Sequence, residues 1–308
     1  MPISEICVRG FMELTDLSVL AESQHLQHLT VTHCGIQSVT DLVSCPMLTE
    51  LDVSHNQHLQ TLSGLASAPR LKTLIAKICD IRNLDGPGNF PFLSTLDVLG
   101  NKYLKSTRSL AGAPSLRIVK AAFCALRNVD GLNTCPLLSE IDISQNKALE
   151  DVSGLAGAPS LEKLSVRACR GLRSIDGLNS CPLLRKVIIS ENSALEDVSG
   201  LAGAPSLEEL TLNNCEELRI VDGLNRCPLL RKVIISTNSA VVDLSGLAGA
   251  PSLEKLSVRP CRGLRSIDGL NSCPLLREVV ISQNSALVDL SGLAGAPLRI
   301  LERTHFLC

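Results

Sequence analysis

Residues able to do chemistry are few in this 308-residue chain, and they are placed by type. Five of the six histidines, His25, His28, His33, His55 and His58, crowd near the start, with His305 near the end. His33 and His55 occupy equivalent positions one period apart, and with Glu50 they would offer imidazole and carboxylate ligands to a divalent metal. A pair without a third placed ligand is a weak site, and the competing reading is an ordinary polar face. Thirteen cysteines are present without any Cys-x-x-Cys, which argues against a structural zinc site. A Gly-rich phosphate loop, a nucleophile elbow and a paired carboxylate with a positioned base are all missing. The expectation is no enzyme, no metal, no cofactor and no small-molecule substrate.

Those residues are positioned by a repeat. The phrase L-x-x-L-x-L-x-x-(N/C) begins at Ile3, Leu26, Leu48, Leu71, Leu93, Leu116, Leu138, Leu161, Leu184, Leu207, Leu230, Leu253 and Leu276, in steps of 22 or 23, with a partial copy from Leu298. In one copy Leu161, Leu164, Val166 and Cys169 alternate with Lys163, Ser165 and Arg167, the period-2 pattern of a short strand with one buried face. The last inward position alternates between Cys and Asn, as in Cys124, Asn146, Cys169 and Asn192. A buried Asn requires that its amide bond the backbone of adjacent turns, whereas Cys fills the slot as a small apolar residue. The true duplication is therefore about 45 residues, two repeats long.

The pattern resembles the leucine-rich repeat family over residues 3 to about 301, and the return segments such as Leu149–Leu155 resemble the 22-residue class of nuclear phosphatase regulators and bacterial internalins. The N-S-A-L and G-L-A-G-A-P phrases are similar to repeat proteins expanded in kinetoplastid protists. The resemblance implies an α/β, mostly β solenoid: a right-handed superhelix with a concave parallel sheet and short 3₁₀ turns or extended chain on the convex side. Residues 1–308 then form one solenoid of about thirteen repeats from residue 3, with a partial last repeat at 298–308. Stacked about 4.8 Å apart, thirteen layers span roughly 60 Å. On the return side, Asp130, Asp176, Asp222 and Asp268 alternate with Ser63, Ser153, Ser199, Ser245 and Ser291 before Gly-Leu, which reads as an N-cap of a 3₁₀ turn. The strand pattern of the last copy stops where Arg303 replaces an inward Val or Ile. Little sequence remains for end caps, so the expectation is that a partner covers the terminal layers, that the chain is a segment of something longer, or that its ends fray.

Composition narrows the partners. Hydrophobic residues make up 45%, but aromatics only 2% with no Trp, so the core must be thin layers of Leu, Ile, Val, Ala and Cys. Twenty-nine basic residues against 31 acidic ones give a net charge of −2, which does not point to nucleic acid or an anionic membrane. No apolar run is long enough to span a bilayer, and Glu5, Arg9, Glu13 and Asp16 interrupt any signal-peptide pattern. Like cysteines lie two layers apart, about 9.6 Å, beyond the reach of about 7 Å that a disulfide tolerates. Reduced core thiols and the lack of a permissive N-x-S/T sequon suit an intracellular reducing compartment, cytoplasmic or nuclear.

Function must then lie on the sheet's outward columns. Ile75, Ile78, Leu99, Ile118 and Phe123 gather within about three strand spacings beside Asp52, Asp97 and Asp142, an apolar patch with a charged rim. The bland alternative is that loops or neighbouring side chains cover it. Further along, Lys163, Arg167, Lys186, Lys255 and Arg259 make the outward columns basic, although residues 161–204 and 253–296 are near copies and the competing reading of the charge is an echo of duplication. The reading is a non-catalytic scaffold that binds another protein, within a larger assembly, on its concave face. The alternatives are a ribonucleoprotein component using the basic columns, or a subunit resembling a phosphatase regulator.

Overall fold

A repeat of 22 or 23 residues cannot bury its own leucines; it can do so only against a copy of itself. The computed structural model of the protein describes residues 3–65, 68–85 and 91–304. It comprises two compact units, an amino-terminal one (Met1–Asn146 with Ala158–Ser160) and a carboxy-terminal one (Lys147–Gly157 with Leu161–Cys308). Each is an open, mostly β solenoid.

In the amino-terminal unit seven strands pair in parallel and in sequence order: β1 (Glu5–Arg9), β2 (His28–Thr32), β3 (Glu50–Asp52), β4 (Thr73–Ile75), β5 (Thr95–Asp97), β6 (Ile118–Lys120) and β7 (Glu140–Asp142). The carboxy-terminal unit repeats the arrangement with β8 (Lys163–Arg167), β9 (Lys186–Ser190), β10 (Glu209–Asn213), β11 (Lys232–Ser236), β12 (Lys255–Arg259), β13 (Glu278–Ser282) and β14 (Ile300–Thr304). Alternation does what the sequence requires: in β8, Leu164 and Val166 face the core while Lys163, Ser165 and Arg167 face outward. Pairing of β14 runs through Arg303 to Thr304, so the expected stop at Arg303 does not occur. His305 lies outside the described residues. No helix among those residues is long and apolar enough to cross a membrane.

Strand length has a local cause. β3, β5 and β7 end at Asp52, Asp97 and Asp142, whose Oδ1 atoms accept the N–H of Ser54 (2.9 Å), Leu99 (3.3 Å) and Ser144 (3.1 Å). These side chains compete for amides that would otherwise extend the ladder. β4 and β6 are equally short with Ile75 and Lys120 at that position, and after β4 the Lys77 N–H goes to Ser54 Oγ at 3.1 Å, so the aspartates account only for the ends of β3, β5 and β7; strands β8–β13 run five residues.

The return segments are three-residue 3₁₀ turns, such as Ser153–Leu155 and Leu178–Ser180. Their caps differ from the sequence expectation. Ser153 does not cap its turn; its own N–H and hydroxyl donate to Asp151 Oδ1, and Asp176 N–H donates to Ser174 Oγ. The capping side chain thus sits two residues before the expected slot, because a 3₁₀ turn this short begins with an Asx- or Ser-type turn. Gly200 is required by packing: a Cβ there would meet the Ile175 carbonyl oxygen at 2.3 Å.

Layers are joined in pairs by the ladder asparagines. Asn56 Nδ2 donates to the Val31 carbonyl (2.8 Å) and the Val53 carbonyl (2.7 Å), while its Oδ1 accepts from Cys34 N–H (3.1 Å) and Ile36 N–H (3.3 Å). Asn101, Asn192, Asn238 and Asn284 likewise reach back to the preceding layer. Each Asn layer therefore needs the backbone of the layer before it, whose ladder slot is filled by a small buried Cys. The second set of cysteines has its own role: the thiols of Cys135, Cys181, Cys227 and Cys273 donate to carbonyls of Leu110, Leu155, Leu201 and Leu247, one layer back.

Twelve described cysteines are free thiols, and all but Cys7 are buried. Burial pushes the thiols of Cys79 and Cys215 up to about 11 and that of Cys124 up to about 12.

Asn101→Ala takes the Asn101 bond from the Ile81 amide and from the Ala76 carbonyl, leaves the Val98 carbonyl with the weak Cys124 thiol bond, and should cost about 3 kcal/mol in urea unfolding; a loss under about 0.5 kcal/mol would remove the ladder as the stacking determinant. Unfolded thiols titrate near 9.0 and the native ones near 11 to 12, so the native chain holds protons the unfolded chain has lost. Stability should be intact below pH 9 and fall as pH rises toward 11 to 12. Iodoacetamide on the native protein should modify Cys7 well before the buried thiols, read site by site by mass spectrometry.

Candidate protein-binding face

Each strand must turn sharply to bring the ladder residue back inward, and the residue before the ladder carries that turn. It adopts the left-handed region in layer after layer: in the amino-terminal unit Gly10, His33, His55, Ile78, Gly100, Phe123 and Gln145, with φ between 51° and 79°. Its N–H donates to the next layer's carbonyl, as from Ile78 to Leu99 (2.7 Å) and Phe123 to Ser144 (2.9 Å). Glycine or asparagine suits this conformation; a β-branched or bulky residue is an outlier costing about 1–2 kcal/mol. The equivalent residue preceding Cys261 is Pro260, whose ring fixes φ near about −65°.

Ile78 and Phe123 accept this strain with side chains 41% and 57% exposed. Gly100 separates them, and Ile78 leans across it: a Cβ on Gly100 would lie 2.9 Å from Ile78 Cγ1. Beside them Ile75, Leu99 and Ile118 are half-buried at outward positions. The five apolar residues singled out from sequence thus share one stretch of the outer sheet face, between β4 and β6.

The three aspartates are engaged differently from a free charged rim. Asp97 is 5% exposed and ion-paired with Lys77 Nζ at 3.1 Å. Asp52 and Asp142, half-buried, hold the strand-end amides already described. Nearer the start of the sheet, Glu5, His28, Glu50, Asp52, Thr73 and Ile75 line an open hollow of about 300 Å³.

The histidines are arranged as a stack. The rings of His33 and His55 lie 3.9 Å apart at 13°, and Glu50 pairs instead with His28 Nδ1 at 3.2 Å. His33, His55 and Glu50 are therefore not brought together as three ligands. Among the described residues no group of three His, Cys, Asp or Glu is placed to hold a metal.

In the carboxy-terminal unit Lys163, Arg167, Lys255 and Arg259 are exposed and Lys186 is half-buried. Lys186 binds Glu209 at 3.0 Å and Lys255 binds Glu278 at 2.9 Å across neighbouring strands. The hydrogen bond from Lys186 holds the Glu209 carboxyl below its ordinary range, and the one to Glu278 raises Lys255. Part of the basic column is thereby offset within the sheet.

The leucine-rich repeat family model matches residues 22–39 and 44–63. Those residues span β2 and β3, and the same layer recurs throughout both units. Residues 22–63 thus match the leucine-rich repeat family, and the layers that follow share the leucine-rich repeat fold. A search of curated proteins gives no significant match. Among solved structures, the leucine-rich repeat chain is similar to an internalin (InlF) of Listeria monocytogenes at a TM-score of 0.58 and 16% identity, covering 99% of this chain and 88% of that one. It is also similar to the functional domain of InlJ from the same organism, described as including a cysteine ladder, at a TM-score of 0.51 and 16% identity, covering 97% and 62%. These likenesses concern the fold. Here the ladder cysteines alternate with asparagine.

Sequence reasoning placed Ile78 and Phe123 outward and missed what is unusual about them. Gly10, Gly100 and Asn214 at the same slot were the signal that it is left-handed. The stack of His33 on His55 was equally unread, since it depends on the angle at which that turn projects the rings.

Relief of backbone strain gives a measurable outcome. Ile78→Gly and Phe123→Gly should each raise stability by about 1 kcal/mol in urea melts; a loss of stability would mean that their packing outweighs the strain.

Proposed function

We propose that this protein is a binding module for another protein, and that the outer sheet face of the amino-terminal unit makes the contact. The observation that carries this is the pair Ile78 and Phe123: large apolar side chains held in solvent at positions where the backbone favours glycine. Strain that persists without a structural reward marks a site kept for something else. Ile75, Leu99 and Ile118 extend the apolar area, and an apolar centre with polar surroundings suits a binding hot spot. The absence of any recognisable catalytic constellation in the sequence supports a scaffold rather than an enzyme, acting within a larger assembly. A reducing compartment, cytoplasmic or nuclear, agrees with a dozen free thiols.

The ribonucleoprotein alternative draws on Lys163, Arg167, Lys186, Lys255 and Arg259, but Lys186 and Lys255 already pair with glutamates. Phosphate contacts would make any RNA affinity fall steeply with salt.

Ile78→Asp and Phe123→Asp, each confirmed folded by circular dichroism, should abolish recovery of the partner found by affinity capture and mass spectrometry with the wild-type chain. Undiminished recovery by both variants would sink the assignment of this face.

A further inference from the structure

One flank of the carboxy-terminal unit carries a pattern with a period of two layers that the function above does not use. The residue before the first leucine of each layer alternates between leucine and serine, and Leu183, Leu229 and Leu275 are 46%, 48% and 39% exposed. The intervening Ser206 and Ser252 are tied down, their hydroxyls donating to the carbonyls of Pro182 and Pro228 at 2.6 Å. Each serine therefore leaves a gap between two projecting leucines. The gap at Ser252, between Leu229 and Leu275, is an open hollow of about 200 Å³ walled by Glu208, Arg231 and Glu254.

Charge follows the same rhythm. Just after the first leucine of each layer come Glu162, Arg185, Glu208, Arg231, Glu254 and Arg277 in strict alternation. Within the chain, Arg185 Nε and Nη2 bind Glu208 Oε1 at 3.0 and 2.7 Å, and Arg231 binds Glu254 Oε1 at 2.9 and 2.7 Å. Arginine layers carry the leucines, and glutamate layers carry the gaps.

We infer that this flank pairs with the same flank of a second copy of the chain, in antiparallel orientation about a two-fold axis between the Glu208 and Arg231 layers. Reversing the order of layers about that axis sets every Arg layer opposite a Glu layer and every leucine opposite a serine gap. Leu229 of each copy then enters the other's gap at Ser206, and Leu183 the gap at Ser252. Parallel pairing at the same level would oppose Arg to Arg and leucine to leucine, so the alternation selects the antiparallel form. A two-fold interface must be self-complementary in this sense. Six layers give a stripe only about 24 Å long. An area of a few hundred Å² per copy belongs to the weak, concentration-dependent class of contacts.

Sedimentation equilibrium of the full chain across a concentration range tests this. Wild type should show a monomer–dimer equilibrium, and Leu229→Asp should weaken it by about tenfold or more. Because a single substitution could act on folding, a charge exchange provides a second reading. One variant carries Arg185→Glu and Arg231→Glu, the other Glu208→Arg and Glu254→Arg; each alone should remain monomeric, and mixing the two should restore a dimer. A wild-type chain that stays monomeric at the highest attainable concentration overturns the inference. So does a dimer indifferent to Leu229→Asp and to the charge exchange, since it would use another face.

Discussion

Everything in this architecture depends on the buried asparagine amide. Its side chain is 0% exposed in Asn56, Asn101, Asn146, Asn192 and Asn238, where an unbonded amide would be costly. The cost is met by bonding backward to the layer before, so an asparagine layer is completed only by a predecessor. The predecessor's own ladder position must then leave room and place few demands of its own. Cysteine meets both conditions, being small and able to donate weakly to a nearby carbonyl, as Cys79 does to Val53. Two layers are thus the smallest self-consistent piece, and duplication by pairs keeps that consistency.

The same geometry creates the exposed site. To turn a side chain inward at the ladder, the backbone passes through a left-handed residue immediately before it in every described layer except that of Pro260. The slot is imposed by the ladder, and its occupant is free to vary. Along the amino-terminal unit it carries His33, His55, Ile78, Gly100 and Phe123, and along the carboxy-terminal unit Ala168, Glu191, Asn214, Thr237, Pro260 and Gln283. A constraint that serves stacking therefore doubles as a shelf on which apolar or aromatic groups are displayed. Strain at Ile78 and Phe123 is tolerated because the rest of each layer, with leucines at 0% exposure, holds the turn in place.

Charge on the two units is managed by different devices. In the amino-terminal unit aspartates at strand ends are drawn into the sheet's own hydrogen bonding, and Asp97 is almost fully covered. In the carboxy-terminal unit a glutamate follows each two lysines across the strands, and Lys186 pairs with Glu209 and Lys255 with Glu278. Exposed pairs of this kind add little stability, about 0–1 kcal/mol each.

The sequence by itself determined the layers, their spacing, the inward leucines and the alternation of cysteine with asparagine, because each is a periodic demand that a one-dimensional pattern records. It also put Ile75, Leu99 and Ile118 on the outward side through strand alternation, and Ile78 and Phe123 there as the residues just before the inward ladder position. Three things it left to the folded chain. Capping moved from Ser153 to Asp151, because the start of a 3₁₀ turn depends on backbone angles that residue type only biases. Asp52, Asp97 and Asp142 became strand terminators rather than a free rim, because an amide two residues away lay within reach of each carboxylate. The stacking of His33 on His55 and the leaning of Ile78 over Gly100 arose from a left-handed turn that sets side-chain direction. Periodicity says which side of a sheet a residue occupies; only the packed backbone fixes where the side chain points and what it meets.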